Sequence, residues 1–234
     1  IVYYFTAAVS LGAPEKAVSF SVPTGNFGDI FAGYVAKKMG LPVNRLIVAT
    51  NKNDILARCL ATGRYEKMGV DATMSPSMDI EVYSNYERTL YQATARDAAA
   101  INAMMDRLKQ SGSFDVNAST LQHLRNDFDA GRCGEQETAS TIADVMREAD
   151  YLLDPHTAIG LCVARDLKPD GLTVTLGTAH PAKFPVAVKN ASGVDAPLPP
   201  WLGDLMEREE HFEQLANDLD AVESHIRSHS RAVS

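Results

Sequence analysis

The chain has 234 residues, enough for one large or two small domains, and its 45% hydrophobic and 22% charged content allows a sizeable core. A formal net charge of −8 argues against a nucleic-acid or anionic-membrane surface and favours small-molecule partners. Cys59, Cys133 and Cys162 are odd in number and widely spaced, which resembles no zinc spacing and suits reduced, structural thiols in a cytoplasmic protein.

The opening IVYYFTAAVSLGAPEK reads as a buried helix entered partway along and closed by Gly12 and Pro14. It has no initiator methionine, no basic leader and too short an apolar run to span a bilayer, so the expectation is a chain that lacks a native N-terminal portion. Residues 18–22 alternate as a buried strand does, and 29–39 carry helical apolar spacing. Between them, PTGNFGD places Gly25 and Gly28 at a strand-to-helix turn. Glycines there either adopt positive φ or let a ligand approach the backbone, beside a helix N-terminus whose free N–H groups favour an anion. A plain connection that needs glycine to turn is the competing reading. Neither common nucleotide fingerprint is present, so a nucleotide is not the default ligand.

Residues 45–50 read as a second buried strand and 53–63 as a short helix, and this alternation implies an α/β fold with an open parallel sheet covered by helices on both faces. One long amphipathic helix is expected over 83–112, with Tyr86, Leu90, Ile101, Met105 and Leu108 on one face. Two partly exposed helices follow over 119–130 and 135–149, separated by breaks at Gly131 and Gly134. Asp154-Pro155 precedes an apolar helix, and LTVTLGTAHPAKFP gives a strand running into a glycine turn, a further βα unit. Residues 1–190 would form this domain, and 191–234 a proline-marked loop and a charged helical tail.

The stretches PTGNFGD (23–29), SPSMDI (75–80), DPHTAIG (154–160) and GTAHPAKFP (177–185) occur in this order, with ATNKNDIL between the first two. Together they resemble the C-terminal portion of threonine synthase, a pyridoxal-phosphate enzyme of the tryptophan-synthase-β fold, fold type II. The resemblance implies that Gly25, Asn26, Phe27, Gly28 and Asp29 surround the phosphate of pyridoxal 5'-phosphate, with the Phe27 ring packing rather than binding. It also implies that Thr178 sits opposite the pyridine nitrogen. A threonine hydroxyl donates a hydrogen bond to an unprotonated ring, where an aspartate would hold the ring protonated. That choice tempers carbanion stabilisation and favours elimination and replacement over transamination. Without the resemblance, Thr178 is a turn hydroxyl after Gly177.

The implied reaction converts O-phospho-L-homoserine and water to L-threonine and phosphate. It needs a Schiff-base lysine that also moves protons. In the family that lysine belongs to the N-terminal half, so no catalytic residue is assigned in this chain, and the missing part of the same chain is its expected partner. Lys183 would lie on the ring-nitrogen side, away from the aldehyde, and Lys52 reads as a solvated lysine. His156 and His180 read as hydrogen-bonded structural histidines. Ser84, Asn85 and Arg88 read as a capped, solvated helix start, and Asp79 as equally structural. The acidic residues lack regular ligand spacing, so no metal is expected. Two other functions use the same residues: a related phospholyase that eliminates phosphate without adding water, and a non-catalytic anion-binding module built on the glycine turn.

Overall fold

A computed structural model describes residues 1–231. The elements in chain order are α1 (Val2–Ser10), β1 (Val18–Pro23), α2 (Gly28–Lys38), β2 (Val43–Thr50), α3 (Ile55–Thr62), β3 (Arg64–Glu66), α4 (Tyr86–Ala93) and α5 (Ala98–Ser111). These are followed by β4 (Ser113–Asp115), α6 (Ala118–Asp127), β5 (Phe128–Arg132), α7 (Glu135–Ala149), α8 (Pro155–Leu167), β6 (Leu172–Thr175), α9 (Pro185–Ser192) and α10 (Leu219–His229). The chain divides into two compact units, Ile1–Pro197 and Leu198–Ser234.

Four strands make a parallel sheet in the order β5-β2-β1-β6. Period-2 alternation assigns its two faces. Leu46 and Val48 of β2 join Val18, Phe20 and Val22 of β1 in a core shared with Tyr4 of α1 and Ile30 and Ala36 of α2. Ile47 and Ala49 point the other way, into a cluster with Ile159 and Val163 of α8. Ser21 also faces α8, and its hydroxyl donates to the Gly160 carbonyl at 2.6 Å. The helix packs closely on the sheet there, since a Cβ at Gly160 would lie 2.9 Å from Thr175 Cγ2 and 3.1 Å from Pro23 Cγ. Helices therefore cover both faces, as the alternation of strands and helices implies.

Three local expectations are corrected, and one element is new. The helix expected over 83–112 is two helices, because Ala95 and Arg96 take positive φ (55° and 67°) and the Asp97 side chain caps α5 through the N–H groups of Ala99 and Ala100. The pattern read as helix over 119–130 ends early, and Phe128–Arg132 becomes an edge strand paired with β2. A small antiparallel pair, β3 with β4, has no counterpart in the sequence reading. Finally, α1 is not buried throughout: Tyr4 and Ala8 are, but Tyr3 is 82% exposed.

Strand order carries the functional geometry. The chain steps from β1 to β2 to β5 in one direction and then returns to place β6 on the other side of β1. In open α/β sheets, ligands bind beyond the carboxyl ends of the strands at such a reversal. PTGNFGD leaves the carboxyl end of β1, and Thr178 follows that of β6.

Candidate functional site

A cavity of about 360 Å³ lies at this reversal, and Gly25, Asn26, Phe27, Gly28, Asp29 and Thr178 all line it. Ser77, Met78, His156 and Lys183 complete its walls. The structure thus brings together two segments some 150 positions apart in the chain, which follows from the parallel pairing of β1 with β6.

Among the described residues, the backbone N–H groups of Gly25, Asn26, Phe27, Asp29 and Ile30 have no acceptor, while that of Gly28 is taken by the Asn26 side chain at 2.9 Å. Unpaired N–H groups in a turn and first helical turn, at the positive end of α2, have the donor chemistry that suits an anion. The glycines do not serve it through positive φ, as the sequence reading allowed. That conformation belongs to Phe27 (φ 69°), whose buried ring is held edge-on to Tyr86 at 5.1 Å and against Phe128 at 5.7 Å. The glycines give close approach instead: a Cβ on Gly25 would stand 2.7 Å from the Ser77 carbonyl oxygen, and one on Gly28 2.9 Å from Asn26 Oδ1.

The wall opposite the turn is built by SPSMDI. Asp79 is a hub: it accepts from Asn51 Nδ2 (2.8 Å), Asn53 Nδ2 (2.9 Å), the Thr73 N–H (2.8 Å) and the Thr73 hydroxyl (2.7 Å). This gives ATNKNDIL its role, since the end of β2 holds the loop that faces the turn. Asn85 is not a solvated helix start. Its N–H and side-chain amide both donate to the Asn26 carbonyl, at 3.1 and 3.2 Å, tying α4 to the glycine turn. Arg88 and Ser84 line a separate hollow.

DPHTAIG supplies the floor. Asp154 caps α8 by accepting from the N–H groups of His156 (2.8 Å) and Thr157 (3.3 Å) and from the Thr157 hydroxyl. Burial alone would raise the Asp154 carboxyl, but hydrogen bonds from His156 and Thr157 override it and hold the group below the usual carboxylate range. His156 is buried and bridges Asp154 to Ser77. His180 only caps a short turn through Ala182 N–H. Of the two lysines weighed, Lys52 is half-exposed and paired with Asp71 at 2.8 Å, whereas Lys183 reaches the cavity wall. Ser77, Met78 and His156 are site residues the sequence reading left out; their motifs were visible, but their convergence was not.

The cysteines are free, and burial pushes the Cys59 thiol up to about 11. In the second unit Glu213, His225 and His229 bring ligand atoms within 4.8 Å of one another, a grouping not anticipated from spacing. All three are exposed or half-exposed, and His229 Nδ1 already contacts Ser228 and the His225 carbonyl. Among the described residues, no helix is long and apolar enough to cross a membrane.

Residues 157–226 match the family model described as threonine synthase, C-terminal. Threonine synthase of Pseudomonas aeruginosa is 50% identical over 98% of this chain and 50% of that protein. The chain is similar to threonine synthases, and its residues 157–226 to their C-terminal domain. The solved threonine synthase of Brucella melitensis, described as pyridoxal-phosphate bound, superposes with a TM-score of 0.90 at 59% identity, covering 98% of this chain and 50% of that one. The yeast threonine synthase superposes with a TM-score of 0.81 at 37% identity, again over 50% of its length. The chain therefore spans about half the length of the threonine synthases it matches.

Proposed function

We propose that this chain is the cofactor-phosphate-binding half of a pyridoxal-phosphate-dependent threonine synthase that converts O-phospho-L-homoserine and water to L-threonine and phosphate, and that these residues alone are inactive. The observation that carries the proposal is the set of unpaired N–H groups on Gly25, Asn26, Phe27, Asp29 and Ile30 beside a cavity that a Cβ at Gly25 would narrow. The residues fit a phosphate monoester: neutral donors and a helix N-terminus meet the dianion with charge-assisted hydrogen bonds, each contributing on the order of 1 kcal/mol.

When bound, pyridoxal phosphate supplies an electron sink for carbanions formed on the amino-acid substrate. In this reading the glycine turn binds the phosphate and fixes the register of the ring in the cavity. Thr178, which lines the cavity, would hold the ring nitrogen by donating its hydroxyl hydrogen to an unprotonated ring. Met78 and Ile80 present apolar surface to the cavity. The SPSMDI wall closes one side of the cavity and limits the water that reaches it.

The test uses the full-length protein. Threonine and inorganic phosphate are measured together from O-phosphohomoserine with and without pyridoxal phosphate. Equal release of both, dependent on the cofactor, is expected; phosphate without threonine overturns the proposal in favour of simple elimination.

A further inference from the structure

Ser77 forms the wall that faces Gly25, and side chains outside the glycine turn hold it there. On one side, the Asp79 hub fixes the loop through Asn51, Asn53 and Thr73. On the other, the Ser77 N–H donates to His156 Nε2 at 3.3 Å. His156 is only 3% exposed, and its Nδ1 stands 3.1 Å from Asp154 Oδ1. These partners assign the tautomer. A backbone N–H can only donate, so Nε2 carries the lone pair; a carboxylate can only accept, so Nδ1 carries the proton. Protonating Nε2 as well would set two donors against each other and release Ser77.

We infer that His156, oriented by Asp154, is a positioning residue for the cofactor-phosphate cavity: as a neutral imidazole protonated on Nδ1 it accepts the Ser77 N–H and so fixes the gap between Ser77 and Gly25. The inference rests on the cofactor reading above. It assigns His156 no contact with a reacting atom. Its orienting carboxylate is fixed in turn by capping α8, so the helix start and the cavity wall form one hydrogen-bonded unit.

The test compares the full-length protein with its His156→Leu and His156→Gln variants. Leucine fills space without an acceptor, whereas the glutamine amide oxygen can take the Ser77 N–H. Equilibrium dialysis is expected to show pyridoxal phosphate binding at least tenfold weaker in His156→Leu, and restored to within about threefold in His156→Gln, with circular dichroism unchanged. Hydrogen exchange at the Ser77 amide should quicken in His156→Leu alone. Nitrogen-15 NMR of the unsubstituted protein should show Nδ1 protonated and Nε2 not, a readout that needs no variant to fold. The opposite tautomer, or wild-type affinity in a folded His156→Leu protein, overturns the inference. Failure of the unsubstituted protein to bind pyridoxal phosphate would sink the cofactor reading instead, while the tautomer and exchange results would still decide whether His156 holds Ser77.

Discussion

Gly25 and Gly28 share a turn but answer to different constraints. A methyl at Gly25 meets the Ser77 carbonyl, which is backbone, whereas one at Gly28 meets the ends of the Asn26 and Asn85 side chains, which can swing away. Gly25→Ala in the full-length protein is therefore expected to weaken pyridoxal phosphate binding at least tenfold, about 1.4 kcal/mol, and Gly28→Ala by less. Equilibrium dialysis ranks them; the reverse order would mean the turn does not abut Ser77. The glycine pair was legible in PTGNFGD, but its reason was not, since the left-handed residue is Phe27. A ring wedged between Tyr86 and Phe128 can hold a conformation that local sequence disfavours, and no local pattern announces that packing. Thr178 supplies a second prediction at this scale. Thr178→Asp in the full-length protein should retain the cofactor but hold its ring nitrogen protonated, raising transamination while threonine formation falls at least tenfold, about 1.4 kcal/mol in the barrier. Thr178→Val should slow turnover without new products. Product analysis separates the two, and unchanged rates in Thr178→Asp would remove Thr178 from the ring nitrogen.

Among the elements, α8 depends most on one side chain. Asp154→Ala removes the helix cap and leaves His156 Nδ1–H facing no acceptor, for an expected cost of about 2–4 kcal/mol by urea unfolding. The pH dependence follows the sign of the shift. The Asp154 carboxyl is held low in the folded state, so its contribution is complete above the ordinary aspartate value of about 3.9 and is lost as pH falls through the lower, folded value. The difference in stability between the unsubstituted protein and Asp154→Ala should shrink on acidification below that range; a constant difference would deny the ionised cap. This helix was legible to within a residue or two, because Asp-Pro is a strong start signal. The break between α4 and α5 was not. It falls at Ala95 and Arg96, residues without turn chemistry, and is visible only through the Asp97 cap. Strand β5 was hidden for a different reason: FDAGR continues the charged pattern of α6, and its strand form depends on pairing with β2, which is non-local.

For the whole molecule, the sheet order was beyond the sequence, but its consequence was not: the motifs that carried the resemblance are the segments gathered at the strand reversal. On α1, Val2 is 72% exposed, Tyr3 82% and Val9 60%, a set of apolar side chains that favours association. Residues 1–234 alone are expected to self-associate on sedimentation and to form no threonine; a monodisperse, active preparation would contradict both expectations. Borohydride reduction of the cofactor-loaded full-length protein, followed by peptide mapping, should place the label on a lysine outside these residues, and label on Lys183 would make the cavity self-sufficient. The most direct test asks whether the glycine turn recognises a phosphate. Dissociation constants of pyridoxal phosphate and of pyridoxal are measured by equilibrium dialysis on the full-length protein and its Gly25→Ala variant. The phosphate should tighten binding at least a hundredfold in the unsubstituted protein, about 2.7 kcal/mol, and most of that increment should vanish in Gly25→Ala while pyridoxal binding barely changes. An equal phosphate increment in both proteins would contradict the assignment of the turn as the phosphate site.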